Sequence, residues 1–251
     1  MKRLISLMIL SLAVVLTLAN VSSADIYMKQ KMHADATQMM GTAQPAQDVI
    51  ANIWITEKGF RSDDPGNSTI MLGKEQKMIL IDHTAKTYME HPLNMNDMMA
   101  QMGKDKSPED QAAMQQMMQK MMKMEASVQA TGEQKTINKW KCRKYVLTVN
   151  SAMGLITSEV WATEDLKVDK KVYEQLASRM LSSMPGLQSS VEGMKKEVEK
   201  IKGVQVMTVS SFTMMNQVHK ATTELVEFKE GTAPSGIFAI PAGYKKQTMQ
   251  H

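Results

Sequence analysis

The chain has a single cysteine, Cys142, in 251 residues, and aromatics make up 5% of it. One cysteine excludes an intramolecular disulfide framework, so folding rests on a hydrophobic core, which a chain of this length can bury. With few aromatic rings available, aliphatic and methionine side chains must fill that core. No glycine-rich phosphate loop, nucleophile elbow or His-Glu-x-x-His occurs, so the recognisable enzyme signatures are missing and no cofactor is implied. Charge of one sign is lacking too. Removing Lys2 and Arg3 leaves 28 basic residues against 26 acidic ones. That balance, with Lys and Glu interspersed, argues against nucleic acid as a partner.

Only one long apolar run is present. Lys2 and Arg3 precede Leu4 to Leu18, and Ser22-Ser23-Ala24 supplies a small-residue exit. This pattern is a secretory signal peptide over residues 1–24, with cleavage expected after Ala24. A periplasmic or secreted location follows. No cysteine trails the run, which argues against a lipid anchor, and no stable membrane insertion is expected after cleavage.

What the chain has in excess is methionine. It carries 27, of which 11 fall between Met89 and Met124. Ser107-Pro108-Glu109-Asp110 reads as a helix start, with serine as N-cap, proline in the first turn and acids at the positive end of the dipole. Met114, Met117, Met118, Met121 and Met122 then recur at helical spacing through Glu125. Met95, Met98, Met99 and Met102 mark a shorter helical turn before it. Three readings fit this face: closed core, an adaptable apolar binding surface, and a copper(I) site built on soft thioethers. No His or Cys lies among these methionines, which ranks copper third.

On either side the pattern is of strands. Ile26, Met28, Gln30 and Met32 alternate with Tyr27, Lys29, Lys31 and His33, and Asp48 to Thr56 alternates likewise. Residues 34–47 read as a polar loop. Short strands follow to Glu90, separated by turns such as Asp63-Asp64-Pro65-Gly66-Asn67. Beyond the methionines, a strand interrupted near Gly132 leads into the hairpin Lys141 to Ala162. A second helical block, 169–202, contains Leu187, Val191, Met194, Val198 and Ile201 as an apolar stripe. A long hairpin over residues 203–228 and a closing segment, Ile237 to Tyr244, complete the chain. Alternation turns Cys142 away from Arg143, as expected of a buried thiol. His83 and His91 read as ordinary surface histidines.

Four stretches, "NIWITEKGFRSD", "MILIDHTAKTYMEHP", "TGEQKTINKWKCRKYVLTV…SEVWATED" and "GIFAIPAGYKK", resemble the exported bacterial family called domain of unknown function 4412. That family is similar in architecture to the outer-membrane lipoprotein carriers. The resemblance picks out Arg61 and Tyr88, Cys142 with Tyr145, and Trp161, and implies no catalytic residue. Two departures stand out: an extreme Met-rich insert, and Lys139-Trp140 in place of the usual Gly-Tyr. The expectation is an α+β fold: a curved antiparallel half-barrel with covering helices, one of them Met-rich. A single domain would span 25–246, with a Met-rich insert at 93–125, the helical block at 169–202 and a polar tail at 247–251. The expected function is non-enzymatic carriage of an apolar ligand, a lipid or lipidated protein. Met114, Met117, Met118, Met121 and Met122 would form its lid, and Trp54, Tyr88 and Trp161 its wall. Copper(I) binding through Met95, Met98, Met99 and Met102, or a purely structural or envelope-stress role, are the alternatives.

Overall fold

The structure, a computed structural model, describes residues 25–39, 42–93, 107, 109–110, 124–151, 154–167, 188–214 and 217–247. The first strands are β1 (Asp25–Ala34), β2 (Thr37–Met39), β3 (Thr42–Gln44), β4 (Gln47–Ile55), β5 (Gly59–Asp63), β6 (Asn67–Leu72), β7 (Lys77–Asp82) and β8 (Thr87–Pro92). Then come β9 (Met124–Ile137), β10 (Trp140–Ser151), β11 (Gly154–Thr163), helix α1 (Gln188–Val198), β12 (Val204–Met214), β13 (Gln217–Gly231) and β14 (Lys245–Lys246). Twelve strands form one open sheet in the order β14-β8-β7-β6-β5-β4-β1-β13-β12-β11-β10-β9. Its ladders are antiparallel except the short β14–β8 pair. β1 sits near the middle, between β4 and β13.

The alternation read in β1 and β4 is realised. Ile26, Met28 and Met32 are buried, and Ile53 and Ile55 lie beside them in register. Directly opposed residues share a face of a sheet. One row on the core face therefore runs Ile26, Ile55, Phe60, Met71, Met78, His91. The parallel row on the outer face runs Tyr27, Trp54, Arg61, Ile70, Ile79, Glu90.

The two faces are covered at opposite ends. On the core face, Ile201 just past α1 is buried with Val128, Tyr145, Val160 and Ala162. Val160 aligns with Thr208, Thr223 and Met32, which places this packing on the same face as Met32. Glu197 fixes the helix by accepting the Val128 N–H at 2.8 Å, and Tyr145 Oη accepts from Lys202 N–H at 3.3 Å. On the outer face, the closing segment sets Phe238, Ile240 and Tyr244 against Ile70, Ile79, Ile81 and Tyr88.

Several expectations change. Of the covering helices expected, the described residues hold one full element, the short α1, whose sequence contains a single methionine, Met194. Nearly all of the Met-rich insert lies outside the described residues. The helix start read at Ser107 within it is visible: Ser107 Oγ accepts from Asp110 N–H at 3.2 Å, and Glu109 and Asp110 are helical, as an N-cap requires. Its end is corrected, because Met124 and Glu125 begin β9, opposite Ser151 and Asn150. Cross-strand pairing there overrides the helical preference of Met and Glu. The polar loop at 34–47 contains the β2–β3 hairpin. The helical block shrinks to α1 where it is described. The interruption at Gly132 is a bulge: the ladder steps from Arg143–Gln134 to Tyr145–Ala130, and Gly132 has φ +81°.

Candidate functional site

At the β6–β8 end the two faces differ in character. On the core face Met71, Met78 and His91 stand side by side on three adjacent strands. Leu80 and Met89 form the next rung, two residues along each strand. All five side chains are partly exposed. Met71 packs onto the buried core through the Phe60 side, so the rows grade from buried Ile26 and Ile55 outwards to Met78 and His91. Methionine tolerates this position because its unbranched, polarizable chain adapts to varied neighbours. The product is an apolar strip of thioethers edged by one imidazole.

The outer face at the same end is sealed by a polar tie. Arg61 Nε reaches both Asp63 carboxylate oxygens, at 2.8 and 2.9 Å, and Arg61 Nη1 donates to the Ile237 carbonyl at 2.6 Å. Ser68 Oγ donates to Asp63 and lies 2.7 Å from His83 Nε2. His83 Nδ1 lies 2.9 Å from Tyr244 Oη, with the two rings edge-on. Because the one Ser68 proton goes to Asp63, Ser68 Oγ must accept from His83 Nε2–H. In the neutral ring Nδ1 then accepts from the Tyr244 hydroxyl. A serine beside a histidine suggests nucleophile and base. Here the carboxylate is bonded to the serine rather than the histidine, and Ser68 is 1% exposed. The group is a tie between β5, β6, the turn after β7 and the closing segment.

The sequence-derived wall residues do not assemble. Trp54 lies on the outer face, its ring centroid 5.1 Å from that of Tyr27. The pair borders an open depression of about 300 Å³ with Lys229, Glu230 and Gly231. Tyr88 is also on the outer face, under the closing segment. Trp161 is buried in the main core, with Lys135 Nζ 3.9 Å above its ring. Met114, Met117, Met118, Met121 and Met122, and the alternative copper set Met95, Met98, Met99 and Met102, lie outside the described residues. Cys142 is buried, and burial, reinforced by the nearby Asp165 charge, raises its pKa.

His83 and His91 stand at opposite ends of the β7–β8 hairpin, since Asp82 pairs with Thr87 and Met78 with His91. Sequence reading missed the place of both. For His83 the partner, Tyr244, is 161 residues away; for His91 the strand alternation was visible but the neighbouring strand was not. Among the described residues, no group of three His, Cys, Asp or Glu side chains is arranged to hold a metal ion.

The sequence matches the family described as "Domain of unknown function (DUF4412)" over residues 28–244. No curated protein matches it. Among solved structures, it is similar to PNGF-II at 13% identity and a TM-score of 0.36, covering 89% of this chain and 31% of that one. It thus spans about a third of the PNGF-II chain. It is similar to a domain described as an outer membrane lipoprotein-sorting protein from Vibrio parahaemolyticus at 9% identity and a TM-score of 0.34, covering 88% and 91% of the two chains. A DUF1329 family protein from Desulfovibrio piger ATCC 29098 is similar at 9% identity and a TM-score of 0.33, covering 86% and 90%.

Proposed function

The chain belongs to the DUF4412 family, whose description assigns no function, and from that premise we propose that it is an exported, non-catalytic binding or carrier protein for an apolar ligand, a lipid or a lipidated protein. One observation carries the reading: the partly exposed strip of Met71, Met78, Leu80 and Met89 on the core face of an open sheet. Thioether side chains re-pack around differing acyl shapes at little strain, which suits a carrier more than a site built for one rigid ligand. The leader-like residues 1–24 support export. Among the described residues, no helix is long and apolar enough to cross a membrane. The methionine face Met114, Met117, Met118, Met121 and Met122 enters the proposal as a second thioether surface.

The test is titration of the purified chain with a fluorescent fatty acid. Met78→Gln with Leu80→Gln places amides on the strip at nearly constant volume. Burying an amide against an acyl chain costs about 1–3 kcal/mol, or roughly 5- to 150-fold in affinity. A parallel variant changes the five insert methionines to Gln. Weakened uptake in either set, with an unchanged urea midpoint, supports the reading. Unchanged uptake in both refutes it.

A further inference from the structure

We propose that Met71, Met78, Met89 and His91 form a binding site for a soft monovalent metal ion, copper(I) being the physiological candidate. Three thioethers and one imidazole stand on one face of three neighbouring strands. Met71 is directly opposite Met78, and Met78 is directly opposite His91. Met89 is two residues before His91 on β8, hence on the same face and diagonal to Met78. Opposed side chains in an antiparallel ladder have Cβ atoms about 4.5–5.5 Å apart, and diagonal neighbours about 7–8 Å. The long methionine arm brings sulfur from each position within reach of one central ion.

The donor set selects the metal. Thioethers are soft ligands that favour copper(I), and imidazole also suits copper. No carboxylate stands among the four, so calcium and magnesium, which require oxygen ligands, are disfavoured. A zinc site would need thiolate, imidazole or carboxylate donors, of which only His91 is present. The other described histidines are engaged: His33 between Asp35 and Asp48, His83 between Ser68 and Tyr244, and His219 beside the Phe212 ring. No such bond holds the His91 ring among the described residues. Partial exposure of all four side chains gives an ion access from solvent. The site differs from a purely thioether set such as Met95, Met98, Met99 and Met102 in having an imidazole, which strengthens and orients binding. It goes beyond the carrier reading and does not depend on it.

The experiment uses the purified full chain and silver(I), a soft closed-shell ion that needs no reductant. Native mass spectrometry counts the bound silver, and the methionine methyl resonances report which sulfurs bind it. Copper(I) affinity is then measured anaerobically against a chromogenic copper(I) chelator. The test variant is M71L/M78L/M89L/H91Q; leucine keeps the packing and removes the sulfur. The control variant is M95L/M98L/M99L/M102L. The expected result is one silver equivalent lost, and copper(I) binding weakened at least a hundredfold, in the test variant alone. H91Q by itself is expected to weaken copper(I) about tenfold without altering fatty-acid uptake. Retention of that silver equivalent in the test variant, its loss only in the control, or no silver binding by the unmodified chain each overturns the site. Met71, Met78 and Met89 belong to both sites, so H91Q, which leaves the apolar strip of Met71, Met78, Leu80 and Met89 unaltered, keeps the two proposals apart. Weakened copper(I) binding by H91Q with intact uptake supports the site, and unchanged copper(I) binding by H91Q refutes it.

Discussion

Replacing Arg61 by methionine should loosen the closing segment and destabilise the whole chain. The side chain is 13% exposed and its partner Asp63 29%. Arg61→Met keeps most of the volume but leaves Asp63 with the Ser68 hydroxyl as its remaining side-chain donor, and it strips the Ile237 carbonyl of its charged donor. Breaking a well-buried ion pair from one side costs about 3–5 kcal/mol. Partial wetting of Asp63 moves this case to about 2–3 kcal/mol. With a urea slope of about 2 kcal/mol per M, the midpoint falls by roughly 1–1.5 M. The loss should also be local. Lys245 N–H donates to the Lys86 carbonyl and Gln247 N–H to that of Tyr88, and both amides should exchange faster than in the parent chain. A midpoint within about 0.25 M of the parent, a change typical of a surface site, with both amides still protected, would refute the reasoning.

Other outcomes follow from single features. Tyr244→Phe removes the donor to His83 Nδ1 and should cost about 1 kcal/mol by urea unfolding, clearly less than Arg61→Met. Gly203→Ala should be more damaging than its size suggests, about 2 kcal/mol or more, because φ is +87° and a Cβ would stand 1.9 Å from the Thr163 carbonyl oxygen; a stable, well-expressed alanine variant would contradict the geometry. Cys142, buried and with its pKa raised by that burial, should resist an aromatic disulfide reagent at pH 8 and react fully in denaturant. Glu90 has its pKa lowered, chiefly by the hydrogen bond from Lys246, so its contribution to stability is present above the ordinary carboxylate range and disappears as pH falls through the lowered value. Glu90→Gln should therefore shrink the gap between urea midpoints at pH 7 and pH 3, and an unaltered gap would show that the Glu90–Lys246 contact contributes nothing.

Local pattern determined much of this protein. Period-two alternation was enough to set Ile26, Met28 and Met32 on one face of β1, and Ile53 and Ile55 on the face of β4 opposite Trp54, but not to say which face of β4 is buried. The break at Gly132, the inward turn of Cys142 and the Ser107 cap were readable because each depends on backbone geometry within a few residues. The family was readable because its motifs sit in those strands. Register between strands was not readable, and register is what made sites. Nothing near Met71 announces Met78 and His91, and nothing near Arg61 announces the Ile237 carbonyl, 176 residues on. Aromatic residues mislead for the same reason. Trp54, Tyr88 and Trp161 share a chemistry suited to a pocket wall, yet the ladders put the first two on the outer face and bury the third in the main core. Methionine density drew attention to residues 89–124, whereas the thioether surface the described fold displays joins Met89, at the edge of that stretch, to Met71 and Met78 on β6 and β7, outside it. A single strand sets the face on which each of its side chains emerges; only pairing with distant strands decides which side chains meet there.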